Sequence, residues 1–285
     1  MKSKIVIITG PTATGKSNFA VECALEYNGE IISADSRQVY KGLDIGTGKI
    51  TKEEMKGIPH HLLDVADPKK QFNVEEYKIL AQKAIKDILK RKKLPIICGG
   101  TGFYIDAVVN DISYPNVPHD EKLRGRLSKR NVEEVFNELE KLDKKFAIKL
   151  NNSEKNNKQR LIRFIEIAKA LGKVTKPIKN KSPYNVTWIG LNFPALKMKQ
   201  RIHNRLIMRM EMGMIDEVKK LHENGLSWER MEELGLEYRY ISRYLRHLIS
   251  KEEMLIRLEK EIEHYAKRQM VWFKRNKKID WIMQK

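Results

Sequence analysis

Apolar and polar positions alternate in two distinct ways along this chain, and the change from one to the other divides it. KIVIIT (4–9) is apolar and β-branched almost throughout, the pattern of a strand buried on both faces of a parallel sheet. A helix is expected over roughly 16–27, a second strand in EIISAD (30–35) and a weaker one in HLLDV (61–65). VEEYKILAQKAIKDILKRKK (74–93) carries a helical period, and LPIICGG (94–100) reads as a buried strand ended by glycines. Strand and helix in alternation predict a parallel α/β sheet with crossover helices.

After Val109 the pattern changes. NDISYPNVPHD (110–120) has two prolines and no period, which marks a linker. From about Glu121 to Gly172 the period is helical throughout. VTWIGLNF (186–193) returns to strand, followed by amphipathic helices near 195–211, 214–223 and 251–275 and a short last strand, IDWIM. The expected architecture is α/β: a P-loop-type parallel sheet core with C-terminal helices (1–112 plus 186–285) and a helical insertion (113–185).

Composition adds a partner class. The 285 residues are 41% hydrophobic and 33% charged, enough for a packed core. No apolar run of about eighteen residues exists to span a membrane, no targeting segment precedes the first strand, and two cysteines build no disulfide framework; a cytoplasmic protein is expected. The net charge of +19 is uneven. Residues 1–110 hold 17 Lys/Arg against 13 Asp/Glu; residues 111–285 hold 39 against 24. A polyanionic partner for the later part of the chain and a merely lysine-rich surface both fit that asymmetry.

The chemistry begins at GPTATGKS (10–17), which matches G-x-x-x-x-G-K-[ST] after a strand and at the start of a helix. Gly10, Pro11, Thr12, Ala13, Thr14, Gly15, Lys16 and Ser17 would present backbone N–H groups, a helix N-terminus and one full positive charge to phosphate oxygens, with the Ser17 hydroxyl on a magnesium ion. Such loops most often hold ATP or GTP. A hydrolytic NTPase also needs an acid at the end of a neighbouring strand, and LPIICGG ends in Cys98, Gly99 and Gly100. The second strand ends in Asp35 instead. Ligands bind beyond the carboxyl ends of such strands, so Asp35 is expected near the loop, either holding magnesium or accepting a proton from a nucleophile; a simple helix N-cap is the alternative.

GPTATGKS, ISADSRQVYKGLDIGTGK (32–49), PHHLLDVADP (59–68), PIICGGTGFYIDAVV (95–109) and AKRQMVWFKR (266–275) together resemble the tRNA dimethylallyltransferases, in order and over nearly the whole chain. The resemblance implies transfer of a dimethylallyl group from its diphosphate to the exocyclic amine of the adenine on the 3′ side of the tRNA anticodon, with Mg2+. It implies a general base at Asp35; contacts to the target base and its neighbours from Asp35, Ser36, Arg37 and Gln38; and diphosphate and magnesium binding by Thr14, Lys16 and Ser17. It also implies a diphosphate arginine at Arg205, and further tRNA contacts at Thr101, Arg124, Gln159, Arg160, Leu161, Ile162 and Arg163. The expected partners are the tRNA anticodon arm and dimethylallyl diphosphate, with the chain acting as a monomer. One stretch departs from the family pattern: Gly235-Leu-Glu-Tyr-Arg-Tyr stands where many relatives carry a Gly-Tyr-Arg-Gln-like turn, and no base contact is assigned to it.

Two other function classes remain: an adenylate isopentenyltransferase acting on free nucleotides, and a non-catalytic RNA-binding P-loop protein. The basic later half speaks against the first; intact Lys16, Ser17, Asp35 and Arg205 speak against the second. His60 and His61 lack a third ligand at zinc-like spacing and are read as a turn feature. Tyr265, Arg268, Trp272 and Arg275 recur at helical spacing, suited to stacking on unpaired bases or to packing the helix on the sheet.

Overall fold

The computed structural model describes residues 2–284. In chain order the elements are β1 (Ser3–Thr9), α1 (Lys16–Glu26), β2 (Gly29–Ser33), β3 (His60–His61), α2 (Val74–Lys90), β4 (Leu94–Gly99), α3 (Gly102–Val109), α4 (Glu121–Ser128), α5 (Val132–Leu142), α6 (Lys144–Ala147), α7 (Asn152–Lys155), α8 (Lys158–Leu171), β5 (Tyr184–Asn192), α9 (Ala195–Glu211), α10 (Met214–Glu223), α11 (Trp228–Leu234), α12 (Leu236–Leu245), α13 (Lys251–Phe273) and β6 (Asp280–Met283). The chain forms two compact units, one of residues 1–111 with 181–285, the other of residues 112–180.

The first unit is built on a six-stranded sheet in the order β3-β2-β4-β1-β5-β6, parallel at every pairing. Its strands read as apolar runs because both faces are covered. Alternate residues go to opposite sides: Ile5, Ile7, Ile32 and Ile97 join one core with Tyr77 and Ile85 of α2, while Val6, Ile8, Ile31 and Ile96 join another with Ala20, Val21 and Ala24 of α1. β4 lies between β1 and β2, so the chain crosses over that position on leaving β1. Such a crossing leaves a crevice beyond the strand ends where a ligand fits.

The second unit has its own core, in which Leu123, Leu127, Val135, Leu139, Leu161 and Ile165 are buried together. The continuous helical period resolves into five helices, because Asn131, Asp143, Asn151 and Asn157 each cap a new start with a side-chain oxygen.

Several elements differ from the sequence expectation. Of HLLDV only His61 is extended, together with His60 in β3, since Leu62 (φ 64°) and Asp64 (φ 55°) turn the backbone left-handed. The strand expected over 30–35 ends at Ser33, and Asp35 belongs to the turn beyond it. α3 was not expected: six of its eight residues are buried, so it has no polar face to reveal a period. α11 and α12 were also missed; α11 has only seven residues, and α12 follows a turn through Gly235 and Leu236 that interrupts any period. No helix among the described residues is long and apolar enough to cross a membrane.

Candidate active site

A cavity of about 460 Å³ opens beyond the carboxyl ends of the strands of the first unit. Its wall includes Thr12, Ala13, Gly15, Lys16 and Ser17 of the loop, Asp35, Arg37 and Gln38 after β2, Gly48 in the following turn, and Arg205 of α9.

The loop follows β1 without slack. Gly10 (φ 142°) lies against the backbone carbonyl of Leu191 in β5, where any Cβ would collide, so no other residue fits there. Gly15 (φ 79°) precedes α1, and no side chain caps that helix, so its first N–H groups remain available to an anion. The buried Thr14 hydroxyl donates to the Pro11 carbonyl at 2.9 Å, which gives Thr14 a part in shaping the loop. Lys16 Nζ donates to the same carbonyl at 2.5 Å. Burial lowers the Lys16 pKa, and Arg205 adds to that fall against the pull of Asp35; the result is about 8. The Cys98 thiol, pushed up by burial to about 12, is neutral.

Two side chains outside the predicted set steady the loop. Gln269 of α13 accepts from Thr12 N at 2.8 Å and donates to the Gly100 carbonyl at 3.0 Å, tying the loop to the end of β4. Arg201 of α9 donates to the Ala13 carbonyl at 2.8 Å and lies over the Phe193 ring. Gln269 sits inside AKRQMVWFKR, so its neighbourhood carried a signal; Arg201, four residues before Arg205 on the same helix, carried only its spacing.

Asp35 Oδ1 accepts from Arg37 N at 2.9 Å and Gln38 N at 3.3 Å. The carboxylate thus closes its own turn, with no helix following for it to cap, while also lining the cavity. Ser36 N donates to Thr101 Oγ1 at 3.0 Å, which joins the DSRQ and GGTGFY stretches. Gln38 spans from Ser33 to the carbonyls of Thr47 and Gly48. The turn at 44–46 is held by Glu217 of α10, whose carboxylate accepts from Asp44 N, Ile45 N and Gly46 N and from the Tyr238 hydroxyl. Gly48 (φ 59°) packs against the guanidinium groups of Arg205 and Arg209, where a Cβ would overlap both.

The arginines here differ sharply in what they touch. Arg37 donates to Glu237 at 3.0 Å and lies 5.3 Å from the centre of the Tyr265 ring. Arg209 faces the other Glu237 oxygen at 3.4 Å. Arg205 makes no hydrogen bond or ion pair among the described residues; burial, then the nearby Arg209, lowers its pKa to about 10, so it is still charged near neutrality. Ser17 and Asp35 offer the hard oxygen donors that magnesium takes, and few of them, as suits an ion that keeps waters and substrate phosphates in its shell. No cluster of three or more His, Cys, Asp or Glu suited to a metal occurs among the described residues.

His61 pairs with Glu30 at 2.8 Å and His60 Nδ1 lies 2.8 Å from the Ile58 carbonyl. Of the stripe on α13, Tyr265 borders the cavity, whereas Trp272 packs at Gly102 and donates to Asp106, with Arg275 over its ring.

The remaining predicted residues lie in the second unit and form no part of this cavity. There, Leu161 and Ile162 are buried in the helical core, which corrects their expected place at a tRNA surface: the apolar face of α8 is what holds the unit together. Arg124 and Arg163 both bind Glu166, a carboxylate 3% exposed, at 2.6 Å and 2.9 Å. Burial alone would raise the Glu166 pKa; the Arg124, Arg163 and Asp120 N–H hydrogen bonds outweigh it and hold it at about 2. Gln159 is exposed, and Arg160 is exposed with only a 3.7 Å contact to Glu154.

A strand, a glycine-rich loop and a helix, with a carboxylate and an arginine that has no partner among the described residues around one cavity, define a P-loop-type α/β protein. The family model described as IPP transferase matches residues 38–276. Over 99% of this chain, the tRNA dimethylallyltransferase of Anoxybacillus flavithermus is 40% identical, with 90% of its own length covered, and tRNA dimethylallyltransferase 2 of Treponema denticola is 42% identical, with 96% covered. The crystal structure of a tRNA isopentenylpyrophosphate transferase from Bacillus halodurans superposes with a TM-score of 0.75 at 37% identity, covering 99% of this chain and 90% of that one. A eukaryotic dimethylallyltransferase acting on tRNA superposes with a TM-score of 0.80 at 27% identity, covering 99% and 74%. The chain belongs to the IPP transferase family.

Proposed function

We propose that the protein is a tRNA dimethylallyltransferase. It transfers a dimethylallyl group from dimethylallyl diphosphate to the exocyclic amine of the adenine on the 3′ side of the anticodon and releases diphosphate. The observation that carries this is the single cavity in which the loop, Asp35 and the unpaired Arg205 meet.

An allylic diphosphate departs readily because the cation left behind is delocalised, so the protein must stabilise the leaving group and exclude water. Lys16, Arg205 and the uncapped N–H groups of α1 face the first demand. Magnesium, held by Ser17 beside the diphosphate, would neutralise further charge on the leaving oxygens. The adenine amine is a poor nucleophile because its lone pair is shared with the ring. Asp35 accepts its proton as the new C–N bond forms and the C–O bond to diphosphate breaks. The base must leave its stack to reach the cavity, where Asp35, Arg37 and Gln38 line the wall. The protein is taken to act as a monomer in the cytoplasm, where tRNA is found.

Labelled dimethylallyl diphosphate offered with tRNA or with AMP tests the proposal. Label should enter tRNA alone, with magnesium required. Label in AMP would make the protein an adenylate enzyme, and ATP hydrolysis without transfer would overturn the reading.

A further inference from the structure

We infer that Glu237 is a positioning residue that sorts the cavity's cations into two sets, withdrawing Arg37 and Arg209 from anion binding and leaving Lys16 and Arg205 to hold the diphosphate. The inference rests on the diphosphate reading and adds a residue that neither the loop motif nor the base assignment contains. Glu237 is 5% exposed and is the second residue of α12, which begins at Leu236 (φ 44°) directly after Gly235 (φ 74°). A left-handed leucine is uncommon, and this turn carries the carboxylate to the cavity wall. There its two oxygens meet two different guanidinium groups, Arg37 at 3.0 Å and Arg209 at 3.4 Å. Arg205, one helical turn before Arg209 on α9, lines the same cavity without an acidic partner.

The division matters for turnover. Arg37, Arg205, Arg209 and Lys16 free together would bind substrate diphosphate, transition state and released diphosphate almost alike. Such uniform binding lowers KM and slows release without lowering the barrier. A carboxylate bound to two of these groups keeps them as wall and leaves two cations for the leaving group. Loss of its charge, with shape retained, should therefore make the site bind diphosphate more tightly. A purely structural glutamate would act in the opposite sense, since its loss would loosen the wall.

The experiment is calorimetric titration of the full-length protein with inorganic pyrophosphate and magnesium, with steady-state kinetics alongside. In Glu237→Gln, pyrophosphate should bind about tenfold tighter, with kcat and the KM for dimethylallyl diphosphate both lower. Arg205→Gln should lose about tenfold in pyrophosphate affinity, whereas Arg209→Gln should remain within about twofold of wild type. This second pair decides the matter if Glu237→Gln does not fold. Pyrophosphate binding by wild type that is equal to or tighter than that of Glu237→Gln, or an Arg209→Gln loss as large as that of Arg205→Gln, would overturn the role of Glu237. Failure of wild type to bind pyrophosphate at all would instead overturn the diphosphate reading.

Discussion

Arginines in the cavity of the α/β unit and arginines in the helical unit were singled out by the same resemblance, yet the structure gives them different situations. Arg205 borders the cavity with no partner among the described residues, and it is charged and available. Arg124 and Arg163 are bound to the buried Glu166, and Arg163 donates as well to the Val117 carbonyl at 2.8 Å. A cation is available to a substrate only to the extent that the fold has not already neutralised it. The comparison therefore sets an arginine with no partner among the described residues against two that are bound to a buried carboxylate.

The largest expected effect lies on the cavity side. Asp35→Ala should lower turnover by about 10²–10⁴-fold, the usual scale for a lost general base, and leave tRNA affinity nearly unchanged. A collapse of affinity with turnover intact at saturation would make Asp35 a docking residue. On the helical side, Glu166→Gln leaves two guanidinium groups without their buried partner. Breaking a buried pair costs several kcal/mol; because both arginines reach solvent, about 2–3 kcal/mol is expected here. Chemical unfolding should show that loss, with pyrophosphate affinity preserved; an unchanged midpoint would return Arg124 and Arg163 to the candidate tRNA contacts.

A smaller effect follows from Lys16, whose pKa of about 8 lies below the ordinary 10.5. The protonated form attracts diphosphate, so affinity should be full below pH 8 and decline as pH rises through it. Bound diphosphate favours the charged form and moves the midpoint upward. Lys16→Arg should flatten this profile from about pH 8 up to 10.5, the interval between the lowered and the ordinary pKa; a profile that declines as before would assign the titration to another group. The smallest effect concerns Arg160, the exposed member of its stretch. If it contacts a tRNA phosphate, Arg160→Ala should reduce the slope of log affinity against log salt by about 0.7–0.9. Arg163→Ala should act mainly on the stability of the helical unit, and a slope change confined to Arg163→Ala would reverse the distinction drawn between the two.

The apolar run of β1, the glycines and Lys16 of the loop, the alternation of strand and helix and the change of period after Val109 were all legible, because each is a local pattern with a local physical cause. So were the residue types of the site and, through the resemblance, Asp35 and Arg205. The α3 helix was not, because burial of nearly its whole surface erases the polar face by which a helix is recognised. Gln269, Arg201, Glu217 and Glu237 were not, because each acts on a segment far away in the chain. Leu161 and Ile162 show the converse: adjacent in sequence to Arg160 and Arg163, they face inward because α8 turns about 100° per residue. The sequence by itself determined which backbone could form a phosphate cradle and which side chains had the right chemistry. Only the tertiary structure decided which charges are partnered: whether a guanidinium meets a carboxylate such as Glu166 or Glu237, or is left for a substrate, depends on three-dimensional distance, and no spacing along the chain encodes it.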